Sequence, residues 1–167
     1  DVTGFTGTTL AQTLTNTGTT QGSVTYTISA IANGCNGATQ MITVNVDPLP
    51  VGTVSGATTI CEGDATDLTF NFSAGATDYD VVYTDGVNPP VTLLDISDNY
   101  TVSVTPSITT TYSIVSITDN NGCTNSSITS SAEVTVNPAP NGDISVVTPI
   151  CLGEQTTLTF SLTPGTG

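Results

Sequence analysis

The residues of this sequence best suited to chemistry are its four cysteines, which recur in two kinds of context. Cys61 lies in ICEGD and Cys151 in ICLGE, while Cys35 and Cys123 each follow an Asn-Gly pair. The chain has no His and no CxxC pair, so the sequence does not predict a zinc site. Disulfide bonds in an oxidising, extracellular setting are the expected chemistry of the four thiols.

Other kinds of catalytic site would lack residues that they need in this sequence. A Ser or Cys nucleophile needs a general base, and the chain contains neither His nor Lys. Two carboxylates can suffice for glycoside hydrolysis. The candidate pairs, Asp78 with Asp80 and Asp95 with Asp98, fall in short polar stretches between apolar runs, where solvated turn residues are expected. The sequence therefore predicts a protein that is not an enzyme.

Calcium is the cofactor that the acidic residues of this sequence could bind. Three stretches could supply oxygen ligands: VDP at 46–48, DATD at 64–67 and TDNNG at 118–122. None of them follows the spacing of an EF-hand loop. Asp and Asn are also common turn formers, which is the favoured interpretation. We therefore predict no bound cofactor or metal, with calcium kept as the alternative.

The charge balance excludes several classes of partner. The 167 residues include 14 Asp and Glu and no Lys or Arg, a formal net charge of −14. Nucleic-acid binding needs cationic side chains that replace phosphate counterions, and anionic membrane surfaces repel such a chain. There is no apolar run of about 18 residues to span a membrane, and the opening DVTGFTG lacks the features of a secretion signal.

Two segments of the chain repeat each other at a distance of about 90 residues. Residues 59–70, TICEGDATDLTF, match residues 149–160, PICLGEQTTLTF, and NVDPLP is echoed by TVNPAP at the same offset. A unit of this length fits one β-sandwich better than a solenoid repeat. The predicted division is a partial repeat at 1–47, a Pro linker at 48–50, a complete repeat at 51–137, a second Pro linker at 138–140 and a partial repeat at 141–167.

Within the complete repeat, apolar residues alternate with a period of two. DLTFNF, YTVSV and AEVTV each place three apolar residues on one face, as in half-buried strands. Short strands separated by turn signals are typical of an immunoglobulin-like sandwich. The predicted fold is all-β, a tandem series of such sandwiches in an extended array. Tyr112 is expected to be either a tyrosine-corner residue or a core ring.

This topology separates two of the cysteines. Cys61 precedes the second long strand of the repeat and Cys123 follows the next-to-last, and these strands run the same way in opposite sheets. The two thiols are then expected at opposite ends, too far apart for a disulfide bond. A bond between neighbouring repeats is favoured, while an internal Cys61–Cys123 bond and unpaired thiols remain alternatives.

The motifs ICEGDATDLTF, TPSITTTYSIVSITDNNGC and VTVNPAP resemble the PKD-like, immunoglobulin-like repeats of giant cell-surface adhesins of Bacteroidota. They are most similar to repeats of SprB-type gliding-motility adhesins, and residues 14–46 resemble a sister subtype. The resemblance implies export by the type IX secretion system and display on the bacterial cell surface.

The expected function is that of structural spacer repeats in a long, secreted, acidic adhesin or filament. The expected partners are neighbouring repeats of the same chain, with surface polysaccharide or a substratum bound by other parts of the protein. Two alternatives remain, a module that binds glycans or other ligands through its loops, and the stalk of a secreted hydrolase.

Overall fold

The computed structural model describes residues 9–163 and 165, and within them it is all-β without a helix. Four strands precede the first Pro linker and two follow the second; nine lie between the linkers. The strands are β1 Gly22–Ile28, β2 Ile31–Ala32, β3 Cys35–Asn36, β4 Gln40–Val46, β5 Val51–Ser55, β6 Thr58–Cys61, β7 Thr66–Ala74, β8 Tyr79–Thr84, β9 Val91–Ile96, β10 Tyr100–Val104, β11 Thr110–Asp119, β12 Thr124–Asn125, β13 Ser131–Asn137, β14 Asn141–Val146 and β15 Leu158–Thr163. The all-β prediction is confirmed.

Residues 51–137 form two packed sheets, which is the architecture of an immunoglobulin-like sandwich; we call this unit the central sandwich. One sheet has the order β10-β7-β5 and is antiparallel throughout. The other has the order β6-β13-β11-β8-β9, with the short β12 paired to β11. Its edge strand β6 runs parallel to β13, and its remaining pairs are antiparallel.

The core lies between the sheets and follows the predicted alternation. The side chains of Leu68 and Phe70 from the first sheet and of Val81, Ile117 and Val134 from the second are completely buried. Aromatic contacts join the sheets, since the ring centroids of Phe70 and Tyr83 lie 5.4 Å apart. Apolar burial of this kind is the main favourable contribution to the stability of such a domain.

A bulge in β11 changes which residues face the core. The register with β8 shifts between Ile114 and Ser116, so one extra residue is inserted in the strand. After the insertion the parity of the alternation is reversed, and Ile117 becomes a core residue like Ile114. Strict period-two reading of the sequence would have placed Ile117 on the outer face.

Tyr112 is a core ring and not a tyrosine corner. It is 7% exposed, and its hydroxyl has no hydrogen-bond partner among the described residues. The hydroxyl that returns to the backbone of a preceding turn belongs to Tyr79, which donates to the carbonyl oxygens of Ala74 and Gly75 at 3.3 and 3.5 Å.

The hairpin β14–β15 has the same pairing as β5–β7. Gly142 lies opposite Leu162 and Ile144 opposite Phe160, just as Gly52 lies opposite Phe72 and Val54 opposite Phe70. The turns after the repeated cysteines also match: the Asp64 amide donates to Cys61 O at 3.0 Å, and the Glu154 amide donates to Cys151 O at 3.1 Å. The two matching segments of sequence therefore form the same backbone structure.

The hairpin β1–β4 corresponds in the same way to β11–β13. Tyr26 lies opposite Ile42, as Tyr112 lies opposite Ala132. These flanking hairpins lack an opposing sheet among the described residues, and their apolar side chains are exposed. Phe160 is 68% exposed, whereas the equivalent Phe70 is completely buried.

This contrast predicts unequal effects of one substitution at the two equivalent positions. Phe70→Ala should lower the free energy of unfolding of the central sandwich by about 3–5 kcal/mol, because it removes a ring from a packed core. Phe160→Ala should change it by less than about 0.5 kcal/mol. Urea unfolding of the full chain at low protein concentration, followed by tyrosine circular dichroism, measures both. Equal losses would mean that Phe160 packs into the same cooperative core.

Candidate inter-repeat junction

The first Pro linker lies against the central sandwich. Pro48 and Pro50 are buried, while Leu49 between them is 49% exposed. Alternate residues of an extended backbone point to opposite sides, so both rings face the protein and Leu49 faces solvent. Proline has no amide proton, so burying these two residues leaves no backbone donor without a partner. We call the end of the sandwich that receives this linker the upstream end.

Side-chain amides of the sandwich hold the linker. The Asn125 Nδ2 group donates to the carbonyl oxygen of Pro50 at 2.9 Å, and the Asn121 Nδ2 group donates to Asp47 Oδ2 at 3.1 Å. The other carboxylate oxygen of Asp47 accepts a bond of 2.7 Å from Gln21 Nε2, just before β1. Asp47 thus links the flanking hairpin to the central sandwich.

Asp119 organises the loop that carries Asn121. It is 5% exposed, and its Oδ1 accepts from the amides of Asn121 and Cys123 at 3.1 and 2.9 Å. Its Oδ2 accepts from the amide of Ala76 at 3.0 Å. A buried carboxylate needs partners, and with no Lys, Arg or His in the chain these are backbone N–H groups.

Gly75 allows the linker to approach closely. Its φ of 95° lies in the left-handed region, and an added Cβ would lie 3.0 Å from Asp119 Oδ2 and 3.1 Å from Pro50. A side chain here would therefore meet both the buried carboxylate and the linker.

The side chain of Tyr79 is buried at the upstream end of the sandwich. Burial raises the pKa of its hydroxyl above the usual value, and the nearby carboxylates of Asp119 and Asp98 raise it further. The phenol therefore stays protonated and keeps donating its hydrogen bonds to the turn that contains Gly75.

The opposite, downstream end binds the second linker less closely. The Glu62 amide donates to Asn137 O at 2.9 Å, and Glu62 Oε2 accepts from the Ala139 amide at 3.3 Å. Pro138 is half-buried, whereas Ala139 and Pro140 are exposed.

The structure places the predicted disulfide candidates apart. Cys123 lies at the upstream end beside Asp119, and Cys61 lies at the downstream end opposite Asn137. The length of β11, roughly 30 Å at 3.3 Å per residue, separates these ends, far beyond the reach of a disulfide bond. An internal Cys61–Cys123 bond does not fit this geometry. Cys35 and Cys151 are exposed in the flanking segments, and all four thiols are free.

The candidate carboxylates Asp80 and Asp98 accept hydrogen bonds from the backbone of neighbouring strands. Asp80 Oδ1 accepts from the Asp95 amide at 3.0 Å, and Asp98 Oδ1 accepts from the Phe72 amide at 2.8 Å. In the turn between β8 and β9, hydrogen bonds from the Asn88 side chain and from the amides of Val87 and Asn88 lower the pKa of Asp85. Asp80 and Asp95 thus lie within strands and not in the turns that the sequence predicted, and among these contacts only those of Asp85 stabilise a turn.

The three acidic stretches considered for calcium do not all lie at one end of the sandwich. Asp47 and Asp119 are at the upstream end, whereas residues 64–67 precede and begin β7 at the other. In residues 9–163 and 165, no group of three or more Cys, Asp or Glu side chains could hold a metal ion.

A surface groove beside two tyrosines is poorly suited to binding a sugar. It has a volume of about 430 Å³ and contains the edges of Tyr83 and Tyr112 together with Asp85. Both rings are 7% exposed, so their faces pack in the core and are not free for stacking on a ligand.

Comparison with known families gives a match in the first part of the chain. Residues 1–50 match the PKD-like domain. The matched range contains β1–β4 and the linker prolines Pro48 and Pro50. PKD-like domains are typically extracellular structural or adhesion modules, and their fold is usually non-catalytic. No curated protein matches the chain. None of the described segments forms a helix long and apolar enough to cross a membrane.

The junction predicts different costs for two glycines that both have positive φ. At Gly86 an added Cβ would meet nothing within 4 Å. Gly86→Ala should therefore lower the free energy of unfolding by only about 1 kcal/mol, the cost of placing a residue with a side chain at positive φ. Gly75→Ala should lower the free energy of unfolding by about 1–2 kcal/mol more than Gly86→Ala, because the added Cβ would crowd Asp119 and Pro50. Thermal and urea unfolding of the two variants test this, and equal costs would show that the linker does not press on Gly75.

Cys123 should react more slowly than the other thiols. It is half-buried, and burial together with the carboxylates of Asp119 and Asp47 raises its pKa, which reduces the thiolate fraction near neutral pH. Iodoacetamide labelling followed by Glu-C digestion and tandem mass spectrometry measures each site, since trypsin has no cleavage site here and fragment ions distinguish Cys35 from Cys61, which share one Glu-C peptide. In urea the difference should vanish, and a folded Cys123 that reacts as fast as exposed Cys61 would contradict the assignment.

Proposed function

We propose that this chain forms spacer repeats of a long, secreted, acidic cell-surface adhesin or filament, of the kind used in bacterial gliding motility or surface attachment. The observation that carries the proposal is the junction at residues 47–50, where two buried prolines and the Asp47 and Asn125 hydrogen bonds tie a flanking unit to the sandwich. A spacer needs connections that resist bending, and proline-containing linkers are stiff.

The connectivity suits a domain that is pulled from its ends. The chain enters at Val51 at the upstream end and leaves at Asn137 at the downstream end. Tension draws β13 downstream and the β5–β6 segment upstream. Because β6 and β13 are parallel, the hydrogen bonds of their ladder, from Thr58–Val134 to Cys61–Asn137, are loaded in shear together and not opened one by one.

The charge supports an extended arrangement in solution. With a net charge of −14 and no cationic side chain, successive units repel one another, and this repulsion opposes collapse of a chain of repeats. The absence of Lys and Arg also removes every cleavage site for trypsin-like proteases from an exposed stalk.

The match of residues 1–50 to PKD-like domains supports an extracellular location. We place the protein on the bacterial cell surface, exported by type IX secretion. Its partners in this arrangement are neighbouring repeats, with polysaccharide or substratum bound elsewhere in the protein.

Disulfide bonds between neighbouring repeats form part of the proposal. Cys123 lies beside the incoming linker, and Cys61 lies beside the outgoing one. A cysteine equivalent to Cys61 in one repeat would therefore face the equivalent of Cys123 in the next. At a spacing of 90 residues, the partners of all four cysteines fall outside residues 1–167, which is compatible with four free thiols in this chain.

Single-molecule pulling from both ends of the full chain tests the spacer function. We expect one discrete unfolding step from the central sandwich, with a release of roughly 270 Å of chain. Pulling instead from residues 61 and 137, which are paired at the downstream end of the β6–β13 ladder, opens its hydrogen bonds one by one and should unfold the sandwich at a lower force. Unfolding without a discrete step, or at equal force in both directions, would contradict a load-bearing role.

A further inference from the structure

A groove at the downstream end of the central sandwich contains two tyrosine hydroxyls without a protein partner. Tyr83 near the end of β8 and Tyr112 near the start of β11 are each 7% exposed, and both line the groove. Neither hydroxyl is hydrogen-bonded within residues 9–163 and 165, although every fully buried side-chain oxygen there has a partner. Both hydroxyl oxygens therefore face solvent in the groove, where they can bond to a ligand.

The strand register brings the two phenols and one carboxylate together. Tyr83 pairs with Ile114 across β8 and β11, so Tyr112, two residues before Ile114, is a diagonal neighbour of Tyr83 on the core face. Asp85 follows two residues after Tyr83 and lines the same groove. Burial raises the pKa of both hydroxyls, and the nearby Asp85 carboxylate raises it further. Three oxygen-bearing side chains from two neighbouring chain segments therefore share one site.

The turn after β8 holds the Asp85 carboxylate in place. Its Oδ1 accepts from the amides of Val87 and Asn88 at 3.0 and 2.8 Å, and its Oδ2 accepts from Asn88 Nδ2 at 2.6 Å. A carboxylate offers about four lone-pair sites, so Oδ2 keeps one site for a ligand. The same three hydrogen bonds lower the pKa of Asp85 and keep the group ionised near neutral pH. The groove thus presents one fixed negative charge beside two phenol oxygens.

Apolar side chains form the walls of the groove beside these oxygens. Val87, Val91 and Ile108 line it and are 45–80% exposed. Its volume of about 430 Å³ is larger than a single amino acid side chain. A lysine side chain matches this combination, because its apolar stem packs on apolar surface while its ammonium group donates up to three hydrogen bonds.

The charge of the chain favours the same ligand. The 167 residues carry a net charge of −14 and include no Lys, Arg or His, so a cation in this groove must come from outside them. A surface of one sign attracts partners of the opposite sign and steers their approach. An anionic ligand would instead be repelled by Asp85.

We propose that this groove binds a lysine side chain of a partner protein. The ammonium group donates to Asp85 Oδ2 and to the hydroxyl oxygens of Tyr83 and Tyr112, and the stem lies against the apolar walls. The strand β8 is two strands away from β13, at which the chain leaves the sandwich, and in the described part of the chain no residue of the second linker lines the groove. The site is therefore separate from the junction, and the inference does not rest on the proposed spacer function.

Nuclear magnetic resonance titration of the full, isotope-labelled chain tests the site. The probes are the peptide acetyl-Gly-Lys-Gly-amide and the same peptide with norleucine, which keeps the apolar stem but lacks the ammonium group. At about 0.15 M salt the Debye length is about 8 Å, so only nearby charges contribute to binding. The lysine peptide should shift the amide resonances of residues 84–91 and 104–110, and the norleucine peptide should not.

Matched variants locate the contact. Asp85→Asn should raise the dissociation constant of the lysine peptide at least about threefold. Asp64→Asn removes the same charge from an exposed position at the same end of the sandwich and should change it less than about 1.5-fold. The double variant Tyr83→Phe with Tyr112→Phe should raise it about fivefold. Because these hydroxyls have no partner among the described residues, the urea midpoint of the double variant should stay constant and report intact folding.

Three results would overturn the proposal. Resonance shifts spread over the whole acidic surface, or equal weakening by Asp85→Asn and Asp64→Asn, would show charge attraction without a site. A norleucine peptide that binds as tightly as the lysine peptide would show an apolar ligand. An unchanged affinity in the double variant would show that the hydroxyls take no part. The pulling experiment measures the β6–β13 ladder, so its outcome is independent of this one.

Discussion

An apolar sheet face needs a second sheet to cover it, and most of this protein follows from that requirement. In residues 51–137 the β5–β7 pair meets the β11–β13 pair, and Leu68, Phe70 and Val134 are completely buried. The flanking hairpins have the same pairing but no opposing sheet among the described residues, so Phe160 stays exposed. The same sequence pattern therefore gives a closed core in residues 51–137 and exposed apolar side chains in the flanking hairpins.

A second constraint is the absence of cationic side chains. Carboxylates cannot form salt bridges, so those that are ordered accept hydrogen bonds from amides: Asp119 from three backbone N–H groups, Asp98 from Phe72, and Asp47 from two side-chain amides. Such bonds are directional. They fix loop shape at the upstream end, where Asp119 holds the loop that carries Asn121 toward the linker.

These two constraints meet at the junction and connect fold to function. Burial of Pro48 and Pro50 and the amide contacts of Asn121 and Asn125 act over a few residues, and in the proposed spacer they would limit how freely the flanking hairpin moves relative to the central sandwich. The parallel β6–β13 ladder lies between the points where the two linkers attach, so in the proposed spacer any tension along the chain would load it.

The sequence by itself determined the all-β class and the strands β7, β10 and β13, and it displays the repetition of two segments 90 residues apart, because alternation and repetition are local properties of the chain. The edge strands β6 and β9 escaped prediction, since much of their apolar surface is exposed and their alternation is weak. Only the tertiary structure decided the parallel β6–β13 pair, the bulge that turns Ile117 inward, the burial of Asp119 and the contacts of Asp47. Each of these depends on residues distant in the chain meeting in space, and such meetings are set by packing between sheets and not by local pattern.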